Sequence, residues 1–115
     1  MRLVRLLAAV LAGVKTATCW AGVLGSQGSR PGLRIIAQDG AGRDRALIEI
    51  IEVFENRFNL VEADFARAEG EGDFSLAYWR EVHEGFFSRQ GVFAPDMPIW
   101  CARFRLIEAL GGDDQ

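Results

Sequence analysis

Cysteine, histidine, lysine and proline are all scarce in this chain of 115 residues: two, one, one and three. Cys19 and Cys101 lie far apart and in no CxxC or Cys/His spacing. Neither a structural zinc site nor a disulfide framework is therefore expected, and the simplest setting is a reducing, cytoplasmic one. No apolar run reaches the roughly 18–20 residues that cross a bilayer, so a spanning helix is excluded and a membrane is not among the expected partners. Low-complexity tracts and internal repeats are also missing. What remains is ordinary: 50% of the residues are hydrophobic and 25% charged, which excludes disordered and collagen-like classes. The length predicts one domain, 1–115, with enough chain for a single core.

A net charge of −3 argues against a strongly basic nucleic-acid coat protein. The distribution is uneven: residues 1–45 carry +5 and residues 46–115 carry −8. An anionic ligand should favour the N-terminal part or a cleft that it lines. Of thirteen basic residues only Lys15 is Lys. An isolated Lys in an Arg-rich chain hints at a compact or titratable amine, a role Arg does not fill.

The N-terminus admits two readings. Arg2 and Arg5 before Leu6–Gly13 resemble a short secretory signal, but Lys15 interrupts early. Leu3, Leu6, Leu7, Val10, Leu11 and Val14 form one apolar stripe at helical spacing, with Gly13 placed to end the helix. The helix is the stronger expectation. Residues 19–32 read as a Gly/Ser-rich loop. Leu33–Gln38 and Ala46–Phe54 read as strands joined by an Asp39-Gly40-Ala41-Gly42 turn. Leu60–Ala68 has helical spacing, and the acidic-glycine run 69–73 ends it. Ser75 is placed to cap a helix carrying Leu76, Trp79, Val82, His83, Phe86 and Phe87. Ile99–Ile107 alternates as a half-buried strand with Arg103 and Arg105 outward. Helices and strands without a βαβ rhythm predict an α+β class.

Gly13-Val14-Lys15-Thr16-Ala17-Thr18 resembles the Gly-x-Lys-x-x-Thr signature of ASCH domains. The second half resembles that family more strongly, through Ala66-x-x-Glu69-Gly70-Glu71-Gly72-Asp73, Ser75-Leu76-x-x-Trp79-Arg80-x-x-His83, Phe86-Phe87, Asp96-Met97-Pro98 and Cys101-x-x-Phe104. The resemblance covers a core of about residues 6–108. It implies a PUA-like fold, a small β-barrel with helices packed across it and a cleft beside the Gly-x-Lys segment. It also implies RNA or a nucleoside or nucleotide as partner, and it calls for no cofactor and no metal. A homodimer is a further partner the sequence leaves open.

Two functions follow. In the leading one the chain is an RNA- or nucleotide-binding domain: Gly13, Thr16, Trp20, Glu71 and Arg80 surround the ligand, Trp20 stacks on a base, and Lys15 with nearby arginines neutralises phosphate. The alternative is a small hydrolase, like the N4-acetylcytidine amidohydrolase branch of the family or its branch linked to RNA cleavage. There Lys15, Thr18 and Glu69 match the catalytic positions. A desolvated Lys15 would serve as base, Thr18 as nucleophile and Glu69 as proton shuttle. If the first helix continued through them, Lys15 and Thr18 would share a face. That branch typically carries Arg where this chain has Trp20, and binding does not need that Arg. His83 is expected as a packed, hydrogen-bonded core residue, and Trp79, Phe86 and Phe87 as core rather than as stacking platforms.

Overall fold

Four antiparallel strands in the order β1-β4-β3-β2 curl into a half-barrel, with helices packed on both faces. The computed structural model describes residues 7–111. The elements in chain order are α1 (Leu7–Leu11), β1 (Ala17–Ala21), β2 (Arg34–Gln38), β3 (Asp44–Arg57), α2 (Ala63–Glu69), α3 (Leu76–Arg89) and β4 (Pro98–Ala109). The class is α+β, and the three helices lie across the curled sheet as a PUA-like fold requires.

Two apolar clusters sit on opposite faces of the sheet. On one face Ala17, Ala21, Ile99 and Cys101 meet Phe58, Val61, Phe65, Ala66, Trp79 and Phe87, so α2 and α3 cover this side. On the other, Leu7 and Val10 of α1 cover Ala37, Ala46, Ile48, Ile50, Ala102 and Phe104. Central strand β4 thus buries both faces: Ile99 and Cys101 are as buried as Ala102 and Phe104, which corrects the expectation of a half-buried strand. Arg103 is not simply solvated either, since its guanidinium lies 5.2 Å from the centre of the Phe65 ring. Arg105 is exposed.

The expected hairpin is present and longer than its apolar core. Asp39 Oδ1 accepts the backbone N–H groups of Ala41 and Arg43, and Gly42 adopts φ +80°. These bonds, the Arg43 N–H foremost, hold the Asp39 carboxyl below the usual carboxylate range. A register shift between Ile50 and Glu52 puts a bulge in β3, and bulges bend and twist a strand, which suits the curl.

Other boundaries move. Leu3 and Leu6 lie outside the described residues; the described helix stops at Leu11, and Val14 is exposed, so the stripe does not continue that far. The predicted loop 19–32 begins instead as strand β1, paired with β4 in the register Cys19↔Cys101. Pairing with a central strand outweighed the Gly/Ser signal of the flanking sequence. The segment 60–68 splits into a 3-10 turn at Phe58–Leu60 and α2, which starts at Ala63. Ser75 caps α3, its hydroxyl accepting from Tyr78 N. Trp79, His83 and Phe87 are buried on that helix, whereas Phe86 is 43% exposed and does not belong to the core. Among the described residues no helix is long and apolar enough to cross a membrane.

Candidate functional site

Lys15 stands where α1, β1 and α2 meet. Gly13, at φ +76°, reverses the chain after α1, and the N–H groups of Val14 and Lys15 both donate to Ala9 O. Thr16 N then donates to Ala68 O at 2.7 Å, and Thr16 O accepts from Phe104 N, tying this junction to α2 and to β4. From the other side, Gly70 ends α2 in the left-handed region and passes so close that a Cβ there would sit 2.8 Å from Val14 O. The close approach brings Glu69 to Lys15 although 54 residues separate them.

The Lys15 ammonium is 1% exposed and its three donors are all committed. Nζ donates to Ala17 O (2.7 Å), to Glu69 Oε1 (2.9 Å) and to the Glu69 carbonyl (3.3 Å), with Glu71 Oε2 3.9 Å away at the partly open rim. Glu69 is equally buried, and its other oxygen, Oε2, accepts from Trp79 Nε1 at 3.0 Å. His83 Nε2 lies 3.7 Å from the same Oε2. The His83 ring stacks on Trp79, centroids 4.3 Å apart, and its Nδ1 bonds the Trp79 carbonyl at 2.9 Å. The expected packed, hydrogen-bonded histidine is therefore what the structure holds.

Cys19 completes the cluster from β1. Burial, then the negative charge of Glu69, push its thiol well above the usual range. Burial likewise pushes its cross-strand partner Cys101 up to about 12. Both thiols therefore stay protonated at neutral pH.

The remaining sequence candidates separate. Thr18 is in a strand, not on the helix, so it does not share a helical face with Lys15. In β1 alternate side chains face opposite sides: Cys19 faces α2 and α3, while Thr18 and Trp20 face the other way. The Thr18 hydroxyl bonds neither Lys15 nor Glu69 among the described residues. Trp20, expected in a loop, is a half-buried strand residue whose Nε1 donates to Gly25 O at 2.7 Å. Thr18, Cys19 and Trp20 line a cleft of about 230 Å³ with Gln27, Ser29, Leu33 and Ile35. Gly13 and Thr16 act here through the backbone, and Glu71 borders the cluster. Arg80 is exposed and its guanidinium faces the carbonyls of Asn59 and Val61, away from Lys15. A second hollow, of about 280 Å³, lies elsewhere, between Phe54, Asp64, Phe65 and Arg103.

Sequence spacing gives Cys19 no partner and places Trp79 and His83 in the core. The i, i+4 spacing of Trp79 and His83 on one helix face was the available signal; nothing local linked them to Glu69.

The sequence profile of the ASCH domain family matches residues 3–108. The chain belongs to the ASCH domain family. Its fold is similar to the ASCH domain of Lactobacillus crispatus, with 34% identity and a TM-score of 0.79 over 87% of this chain and 69% of that one. A protein of Enterococcus faecalis gives 32% identity and a TM-score of 0.78, covering 91% of this chain and 68% of that one. The ASCH protein of Zymomonas mobilis, at 12% identity and a TM-score of 0.60 over 90% and 67%, shares the fold alone. No curated protein matches the chain. In this ASCH domain the signature Lys is thus an internal ion-pair partner, and the signature Thr faces a cleft on the other side of the same strand.

Proposed function

We propose that this ASCH domain binds RNA or a nucleotide, with a base held in the cleft beside the Gly-x-Lys-x-x-Thr segment. One observation carries the reading: Thr18 and Trp20, neighbours on β1, open onto a cleft that also offers Gln27 and Ser29 as hydrogen-bonding groups. An indole wall with a few polar groups opposite is what an unstacked base requires. Phosphate neutralisation passes from Lys15, whose donors are spent on Glu69 and backbone carbonyls, to exposed arginines such as Arg30 in the cleft loop. Fluorescence anisotropy with labelled RNA oligomers over a salt series tests this. Binding should weaken steeply with salt, and Arg30→Ala should lower the salt slope by roughly one. Trp20→Leu should weaken binding by roughly tenfold or more if a base stacks there. Absence of binding at low salt, or affinity indifferent to Trp20, refutes the reading.

The hydrolase reading stands second. The convergence of buried Lys15 and Glu69 favours it, and the separation of Thr18 from that pair ranks it lower. Product analysis on acylated nucleosides tests it. Turnover lost in Lys15→Arg, which keeps the charge but not the Lys amine, would reverse the ranking.

A further inference from the structure

Cys19, Glu69 and His83 form a set of metal-ligating groups of which the binding reading uses none and the hydrolase reading only Glu69. Cys19 Sγ, a Glu69 carboxylate oxygen and a His83 ring nitrogen all lie within 4.8 Å of one another, contributed by β1, the end of α2 and the middle of α3. We propose that Cys19, Glu69 and His83 form a binding site for one borderline-soft divalent cation, with Zn²⁺ the best match.

The hydrogen bonding around His83 supports this. Its Nδ1 faces the Trp79 carbonyl, which can only accept, so that nitrogen carries a proton. In the neutral ring Nε2 then presents a lone pair, and what it faces, at 3.7 Å, is Oε2 of Glu69, another acceptor. Two acceptors turned toward the same space are what a shared cation would bridge. The groups behind them are arranged as they are behind bound zinc. A ligating His donates its second ring N–H to a backbone carbonyl, and a ligating carboxylate is itself held by donors. Here Trp79 serves both, through its carbonyl to His83 and its Nε1 to Glu69, while Lys15 fixes the other carboxylate oxygen.

Thiolate with imidazole selects zinc over magnesium or calcium. Bond lengths of roughly 2.0–2.3 Å put tetrahedral ligands about 3.3–3.8 Å apart, so the trio must close by roughly 1 Å. Cys19 S–H loses its proton to solvent as the S–metal bond forms, giving two anionic ligands against a dication, with no change of oxidation state. Three protein ligands leave a fourth position for water.

The test uses the full chain and Co²⁺ as a spectroscopic stand-in for Zn²⁺. Titration should give one cobalt per chain, with tetrahedral d–d bands and a thiolate-to-cobalt charge-transfer band that Zn²⁺ displaces. Cys19→Ser should abolish that band, Cys101→Ala should retain it, and His83→Gln should weaken binding by at least roughly tenfold. Circular dichroism checks that each variant is folded; should one fail to fold, the wild-type spectrum and the zinc stoichiometry still decide. No charge-transfer band in folded wild-type protein under excess cobalt overturns the proposal. A band that survives Cys19→Ser overturns it equally. Because the readout is metal binding, failure here leaves the nucleotide-binding reading untouched.

Discussion

Lys15 and Glu69 are each 1% exposed, so their energetics are those of a buried ion pair. Such a pair stabilises little relative to a well-packed apolar one, yet removing one member strands a charge at about 3–5 kcal/mol. Lys15→Met should therefore destabilise by that amount in urea unfolding, and so should Glu69→Gln, in which an amide replaces the ion-pair acceptor. The double variant should cost clearly less than the sum, because the stranded partner disappears. Additive losses would mean that the two side chains do not act as a pair. The cysteines give a pH prediction. Below about pH 9 both thiols are protonated in the folded and the unfolded chain. Above it the unfolded thiols ionise at their ordinary 9.0, whereas folded Cys101 holds its proton up to about 12. The unfolded state then binds fewer protons, so stability should fall as pH rises above about 9. Melting temperatures measured from pH 7 to 11, against Cys19→Ser/Cys101→Ala as control, check the sign. A control that loses as much as the wild type would assign the loss to other groups.

Among the elements, the end of α2 matters most, because it sets where Glu69 goes. Gly70 has φ +72° and no room for a Cβ, while Gly13, after α1, has φ +76° and open space around it. The pair separates the cost of conformation from the cost of contact. Gly13→Ala should cost about 1–2 kcal/mol for the left-handed backbone alone. Gly70→Ala should cost that plus roughly 1–3 kcal/mol for pressing on Val14 O. Equal losses in chemical denaturation would show that the loop relaxes and that the close approach does not hold α2 against β1. The same junction explains which elements were legible. Strand β2 and helix α3 carry their own signals, the apolar run 33–38 and the Ser75 cap. Strand β1 does not: Ala17–Ala21 is an edge strand bordered by glycines and serines, and it became a strand because β4 supplies its hydrogen bonds.

Taken whole, the molecule rests on two clusters divided by one sheet, and among the described residues α1 is the only helix over the second of them. Deleting residues 1–12 removes the buried side chains of Leu7 and Val10 and uncovers Ile48 and Phe104. At roughly 1.5–3 kcal/mol for each buried aliphatic side chain, the loss takes much of a small domain's margin of about 5–15 kcal/mol. The shortened chain should be insoluble or melt far below the full chain in calorimetry. Unchanged melting would show that α1 is dispensable. The sequence by itself determined the α+β class, the family through its spaced motifs, the hairpin at Asp39 and the Ser75 cap, because each rests on local backbone preference or on residues at fixed spacing. Only the tertiary structure decided that Thr18 turns away from Lys15, since strand alternation at β1 depends on pairing with β4. It alone showed that Lys15 is sealed against Glu69, and that Cys19 and His83 reach the same carboxylate. Lys15 and Cys19 reach Glu69 across about fifty residues, and over such separations the curl of the sheet, rather than any local pattern, fixes which side chains meet.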